Sequence, residues 1–325
     1  MIHDPMPPVP SSSISAGGRV ASAWDDVAAV LRDRLGPGSG VRRDELLGPK
    51  TTLRVGGPAD VYVEPATEAD LIAVRQVCTE RGLPFFVLGR GSNLLIRDGG
   101  IRGVVVRLER GEFGRLDVVG PELHCGAGVR LKAVANAARA NELAGMEFLE
   151  GIPGSVGGAV RMNAGAMKSW TFEVLARIRY LDPAGGVHER PASEIPSQYR
   201  GCPLFRDHVA MAAVFTGRPD SGSAIRERME AYSRRRWDSQ PAQPSAGCVF
   251  KNPESVAAGR LIDQLGLKGL AVGAAVVSDV HGNFIVNAGG ASARDVLTLM
   301  EVIRDRVRTA VAIELHPEVE IVGED

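Results

Sequence analysis

Apolar positions recur every three or four residues from Trp24 to Leu35, with Trp24, Val27, Ala28, Leu31 and Leu35 on one face. That spacing predicts an amphipathic helix, and Gly36-Pro37 predicts its end. Beyond Thr51 the pattern breaks into short apolar runs between glycines. Thr67 is placed to cap a second helix carrying Leu71, Val74 and Cys78 and closed by Gly82, and Pro84 to Leu88 reads as a buried strand. Gly103 to Leu108 reads as a further strand, Leu131 to Leu143 as an alanine-rich helix, and Val209 to Phe215 as a strand. Ile225, Met229 and Tyr232 predict a helix over 223–237, with Arg234, Arg235 and Arg236 at the end where the helix dipole favours cations. Ser292 and Asp295 have capping-box spacing ahead of a helix with Val296, Leu299, Ile303 and Val307 inward, and 318–322 reads as a last strand.

No internal repeat is present, and the elements lack the regular period of a βα barrel, so the chain reads as a multidomain α+β protein. Its 325 residues suggest two or three domains. Linker composition between Gly217 and Gly222 separates a region over 21–217 from a C-terminal region over 218–325. Residues 1–20, rich in proline and serine, read as a disordered leader without signal-peptide features.

Composition narrows the function by exclusion. With 38 basic against 39 acidic side chains, a nucleic-acid clamp or polybasic membrane surface is not expected. No apolar run approaches the roughly 18 residues of a membrane span. Four cysteines, Cys78, Cys125, Cys202 and Cys248, have no C-x-x-C spacing, so neither a metal site nor a disulfide framework is indicated and a reducing, cytoplasmic setting follows. Oligomeric state is not legible, and a monomer is favoured.

Glycine is in excess: 39 positions, where average usage would give about 23. The excess concentrates at Gly56-Gly57, at Gly89-Arg90-Gly91-Ser92-Asn93, at Gly126 and Gly128, and at Gly151, Gly154, Gly157 and Gly158. Loops of this kind bring several backbone N–H groups onto a phosphate, although none continues as a P-loop and the third glycine of a dinucleotide fingerprint is missing. Tight turns alone are the alternative for any single cluster. Four clusters within a hundred residues favour an extended pyrophosphate-bearing ligand.

Leu88-Gly89-Arg90-Gly91-Ser92-Asn93-Leu94-Leu95 and Glu150-Gly151-Ile152-Pro153-Gly154-Ser155-Val156-Gly157-Gly158 resemble the flavin-binding loops of the UDP-N-acetylenolpyruvoylglucosamine reductases, the MurB family. So do Thr51 to Gly57 and Arg161-Met162-Asn163-Ala164-Gly165-Ala166. The likeness continues through Ala246-Gly247-Cys248-Val249-Phe250-Lys251-Asn252-Pro253, Gly259 to Asp263, Leu267-Lys268-Gly269, His281 to Asn287 and Leu315-His316-Pro317-Glu318-Val319, covering about residues 45–325 in order. The resemblance implies a vanillyl-alcohol-oxidase/PCMH-type domain over about 51–217 that binds FAD non-covalently, followed by a C-terminal α+β substrate domain. It implies that NADPH reduces the flavin, whose N5 hydride then reduces the enolpyruvyl ether of UDP-N-acetylglucosamine to give UDP-N-acetylmuramate for peptidoglycan.

The same resemblance implies site residues. For the flavin they are Gly89, Arg90, Gly91, Ser92, Asn93, Leu94, Gly151, Pro153, Gly154, Ser155, Gly157, Gly158 and Asn163. Tyr199-Arg200 matches the family's Tyr-Arg motif, and a guanidinium presents a planar fork suited to a carboxylate and to the charge that develops beside it. The following Gly201-Cys202-Pro203-Leu204-Phe205 is one residue longer than the family pattern. Cys248 stands where many members have a serine proton donor; a buried structural cysteine is the plainer reading of its neighbours. Alternation puts Glu318 and Glu320 on one strand face, and the resemblance selects Glu318 as the acid or orienting partner. Tyr199, Lys251, Asn252 and Arg236 are expected at the substrate, with Lys268 a weaker candidate. No tyrosine follows Tyr232, and the segment from Pro253 to Gly259 is short, which implies the branch without a substrate-capping tyrosine.

Two other readings remain open at this point. One is an oxygen-using flavin oxidase; the other is a flavin-binding protein without catalysis, suggested by cysteine for serine at 202 and 248.

Overall fold

The computed structural model describes residues 23–325. The leader expected over 1–20 lies outside the described residues. Three packed layers account for the rest, and each sets one wall of the site.

In the first, helices α1 (Ala23–Arg34) and α2 (Glu68–Glu80) cover a four-stranded sheet in the order Gly40–Leu46, Pro58–Glu64, Ile101–Val106, Phe85–Val87. Val27, Ala28 and Leu31 meet Leu71, Val74, Val61 and Val104 in one core. Thr67 does cap α2: its hydroxyl accepts from the Asp70 amide while the Asp70 carboxylate accepts from the Thr67 amide. Asp70 also accepts from the Gly36 amide and the Ser39 hydroxyl, which ties the end of α1 to the start of α2. The Phe85–Val87 strand is half-buried rather than buried, because it lies at the sheet edge and contributes side chains to a groove.

In the second layer α3 (Leu131–Ala140) and α4 (Val156–Met162) pack on a five-stranded antiparallel sheet ordered Val187–Pro191, Leu175–Leu181, Val209–Thr216, Glu122–Gly126, Leu116–Val119. Helix α3 ends before Leu143 because Glu142 takes a left-handed conformation, φ 55°, and turns the chain; Leu143–Ala144 then pairs with Arg218–Pro219. Helix α5 (Gly222–Ser239) buries Ile225 and Met229 in this same core. The linker-like residues 217–222 thus lead into a helix that packs on the second-layer core, and the third core draws its side chains from residues beyond α5 together with Leu53, Val55 and Leu95.

The third layer sets α6 (Ala258–Gln264) and α7 (Ala293–Val311) against an antiparallel sheet of Ser245–Cys248, Phe284–Asn287, Ala275–Val277 and Ala271–Val272. The Ser292–Asp295 capping box is present at the start of α7. Leu53, Val55 and Leu95 enter this core from the first layer. Glu320–Val322 then crosses back and pairs in parallel with Leu94–Ile96. The last strand is thus stitched into the loop region that follows Gly89. No helix among the described residues is long and apolar enough to cross a membrane.

Candidate active site

A cavity of about 670 Å³ runs where the three layers meet. Its size is that of a cofactor or substrate site, which commonly spans about 300–1,000 Å³. Two of the four glycine clusters line it: Gly89 to Asn93 with Leu94, and Gly151 to Ser155 with Gly157 and Gly158. Among the described residues the amides of Gly89, Arg90, Gly91, Ser92 and Asn93 have no acceptor, an unusual run of donors along a wall. Gly91 makes this path possible, with φ +59° and a Cβ position only 2.9 Å from the Thr51 Cα. The other two clusters have a different cause. A Cβ on Gly57 would lie 2.1 Å from the Asp98 carbonyl oxygen, and one on Gly128 would lie 1.9 Å from that of Leu108, so those glycines serve close backbone packing.

The charge along the cradle is positive. Burial and the neighbouring Arg130 push the Arg90 guanidinium pKa down, which marks a cation short of counter-charge. Burial does the same to Arg236, whose Nη1 donates to the Gly151 carbonyl. Five such amides beside two under-compensated cations suit the pyrophosphate of a dinucleotide.

At the other side three expected residues converge. Arg200 sits in a tight turn bridged by Gln198 and Gly201, with φ +57°. Glu318 Oε1 lies 2.8 Å from Arg200 Nε but off the N–H direction, so that buried Nε–H has no hydrogen-bond acceptor among the described residues. Nη1 has only a long contact of 3.4 Å to the Gly165 carbonyl. The guanidinium is therefore charge-compensated while its donors stay largely uncommitted. Burial pushes the Glu318 carboxyl up, and the Arg200 charge offsets this only incompletely.

Cys248 closes the strand Ser245–Cys248, where Gly247 at φ +77° accompanies a bulge against Phe284. Backbone bonds fix this segment beside the final one: the amides of Glu318 and Val319 donate to the Val249 carbonyl, and that of Lys251 to the His316 carbonyl. Buried Asn283 locks the bend by donating to the Phe250 carbonyl and accepting from the Phe250 amide. Burial and the Glu318 charge raise the Cys248 thiol to about 11. At neutral pH it is a protonated thiol on the cavity wall.

Four expected residues do not line the cavity. Asn163 is buried at the end of α4, where it donates to the Gln198 carbonyl and accepts from the Phe172 amide; it supports the Tyr199-Arg200 turn. Tyr199 is 58% exposed and meets Trp170 edge-on. Lys251 is exposed, and Asn252 accepts from the Ala258 amide at the head of α6. The weaker candidate Lys268 pairs with Asp263. Asn93 proves double-sided, since its amide side chain donates to the Glu318 carbonyl while its own carbonyl accepts from the Glu320 amide.

Arg161 and Glu320 were not distinguished by sequence, yet both line the cavity and form a bidentate pair at 2.5 and 2.8 Å across it. Alternation did put Glu320 on the face of Glu318. Arg161, one arginine inside a quoted motif, carried no separate signal. His208, whose buried Nδ1 has no hydrogen-bond partner among the described residues, also belongs to the wall and was not anticipated.

Comparison with known proteins matches this arrangement. Residues 59–190 match the FAD binding domain, and residues 240–322 match the C-terminal domain of UDP-N-acetylenolpyruvoylglucosamine reductase. The reductase of Desulfosudis oleivorans is 42% identical over 318 residues, covering 92% of this chain and 97% of that protein. That of Clostridium novyi is 40% identical over 287 residues, covering 88% and 93%. The crystal structure of the Thermus caldophilus enzyme superposes with a TM-score of 0.77 at 40% identity, covering 87% of this chain and 99% of that one.

Proposed function

The chain belongs to the UDP-N-acetylenolpyruvoylglucosamine reductases, FAD-dependent oxidoreductases of peptidoglycan precursor synthesis, and on that footing we propose that it draws on NADPH and works through Arg200, Cys248 and Glu318. The observation that carries this reading is their convergence on the wall of the cavity that the glycine loops also line.

The chemistry that FAD supplies when bound is hydride transfer, taken from NADPH and passed to the terminal carbon of the enolpyruvyl ether. Negative charge then develops on the α-carbon and its carboxylate. Arg200 has donors to spare for that carboxylate, and the interaction gains strength as the charge grows. Cys248 holds the proton that the α-carbon must receive; its thiol stays protonated at neutral pH, yet is far more acidic than a hydroxyl. Glu318 orients Arg200 and restrains ionisation of the thiol. Arg236 offers its charge to the nucleotide diphosphate.

Lys251 and Asn252 reach the substrate, on this reading, only if their exposed loop folds inward. A reducing cytoplasmic setting agrees with four free cysteines among the described residues, and a monomer with large exposed apolar side chains that are scattered along the chain. The test is NADPH oxidation by the purified holoenzyme with and without UDP-N-acetylglucosamine enolpyruvate. Oxidation that requires the enolpyruvyl ether and yields UDP-N-acetylmuramate is expected; equal turnover on oxygen alone would make the protein an oxidase.

A further inference from the structure

The Arg200 guanidinium is charged and half-buried, and beyond the Glu318 counter-charge it is poorly tied by hydrogen bonds, which leaves room for a further contact to fix its plane. Its Cζ lies 5.9 Å from the ring centroid of Trp170 and 5.5 Å from that of Tyr199. The two rings meet edge to face, with centroids 5.5 Å apart at 74°. Neither ring lines the cavity, whereas Arg200 does. Aromatic faces attract a guanidinium through its charge without consuming any of its N–H donors. A carboxylate partner or a carbonyl would use those donors up.

Trp170 is built into this position. It ends a short hairpin, Gly165–Ala166 paired with Ser169–Trp170, whose turn residues Met167 and Lys168 both have positive φ. The indole occupies the space where a Cβ on Gly165 would stand, 2.2 Å from that position, so residue 165 must be glycine for the ring to seat. The Gly165 carbonyl is the same one that Arg200 Nη1 approaches. One hairpin therefore supplies both the ring and the weak acceptor.

We infer that Trp170 is a positioning residue of the reductase: it fixes the Arg200 guanidinium by its ring face so that the whole fork remains available to the substrate carboxylate. The inference rests on the reading of Arg200 given above. It makes the two half-reactions separable, because on that reading Arg200 acts on the enolpyruvyl ether.

Stopped-flow measurement on the holoenzymes of Trp170→Leu, Trp170→Met and Trp170→Phe tests it. In the leucine and methionine variants, reoxidation of the reduced flavin by UDP-N-acetylglucosamine enolpyruvate should fall about tenfold, the scale of a desolvated cation–π contact. Flavin content and reduction by NADPH should stay at wild-type level, and Trp170→Phe should recover most of the loss. Reoxidation at the wild-type rate without an aromatic ring would overturn the inference, as would an equal fall of both half-reactions. Methionine preserves bulk if leucine unsettles the hairpin. A wild-type protein whose NADPH-reduced flavin is not reoxidised by the enolpyruvyl ether would instead overturn the reaction assignment, before any variant is compared.

Discussion

Glu318 sits beside Arg200 as a counter-charge without being its hydrogen-bond acceptor: Oε1 is 2.8 Å from Nε, yet the N–H points elsewhere. A cation and an anion so arranged neutralise each other while leaving donors for a third group. The cost falls on the carboxylate, whose pKa is raised by burial more than Arg200 lowers it.

That direction fixes a pH dependence. A carboxyl with a folded pKa above its unfolded value contributes stability when protonated and loses it as pH rises through the folded pKa. Glu318→Gln should therefore melt at or above the wild-type temperature at pH 7.5, with the difference shrinking as pH falls through the carboxyl range. Turnover should drop in the same variant. Thermal melts at three pH values decide it, and a Gln variant markedly less stable at pH 7.5 contradicts the sign.

Arg200 carries backbone strain, since φ +57° is unfavourable for a residue with a Cβ by roughly 1 kcal/mol. At a pH low enough for Glu318 to be protonated and need no counter-charge, Arg200→Gly should leave the melting temperature unchanged or raise it slightly, while reoxidation by substrate falls by about 100-fold or more. Arg200→Lys keeps the charge but not the fork and should recover only a fraction of the rate. An Arg200→Gly protein that loses several degrees would show that the side chain is chiefly structural.

Cys248, raised to about 11, should resist alkylation by iodoacetamide at pH 8 and should impose no alkaline limb on activity below pH 10. Cys248→Ser should retain turnover, while Cys248→Ala should lose about 100-fold or more, the usual scale for a general acid. Rates for the two variants in parallel check this. An alanine variant that still delivers the proton at the wild-type rate removes Cys248 from the mechanism.

Two glycines with similar φ separate cradle from turn. Gly91→Ala places a Cβ within 3 Å of Thr51, and should lower flavin content in the purified protein. Gly82→Ala meets nothing within 4 Å, and should cost about 1 kcal/mol of stability through φ alone, with flavin retained. Flavin absorbance per protein, measured for both, distinguishes the outcomes.

Local signals in the sequence carried local structure well. The Thr67 and Ser292 caps and the buried faces of α1 and α7 all depend on neighbours a few residues apart, whereas the last strand is shorter than expected, Glu320–Val322, and leaves Glu318 ahead of it. Pairing between distant segments leaves no such trace. Nothing in the run Leu94 to Ile96 says that Glu320 to Val322 will lie beside it, so the Arg161–Glu320 pair and the double role of Asn93 became visible only with the fold. The glycine surplus was legible as a number but not as a purpose, because a glycine facing a ligand and one pressed on a carbonyl look alike in sequence. Trp170 gave no signal for the same reason: its neighbour in space, Arg200, lies beyond two intervening strands.

The parallel pairing of Glu320–Val322 with Leu94–Ile96 sets a timetable for biosynthesis. A nascent chain emerging from the ribosome can close its first two cores and form the glycine loops well before the last segment, Glu318 followed by the strand Glu320–Val322, is available. Until that strand docks, Asn93 lacks both of its bonds to it and Arg200 lacks its counter-charge. Contacts between segments so far apart in the chain are the slowest to form, so the reducing centre is assembled last, and only in a protein whose other regions have already folded.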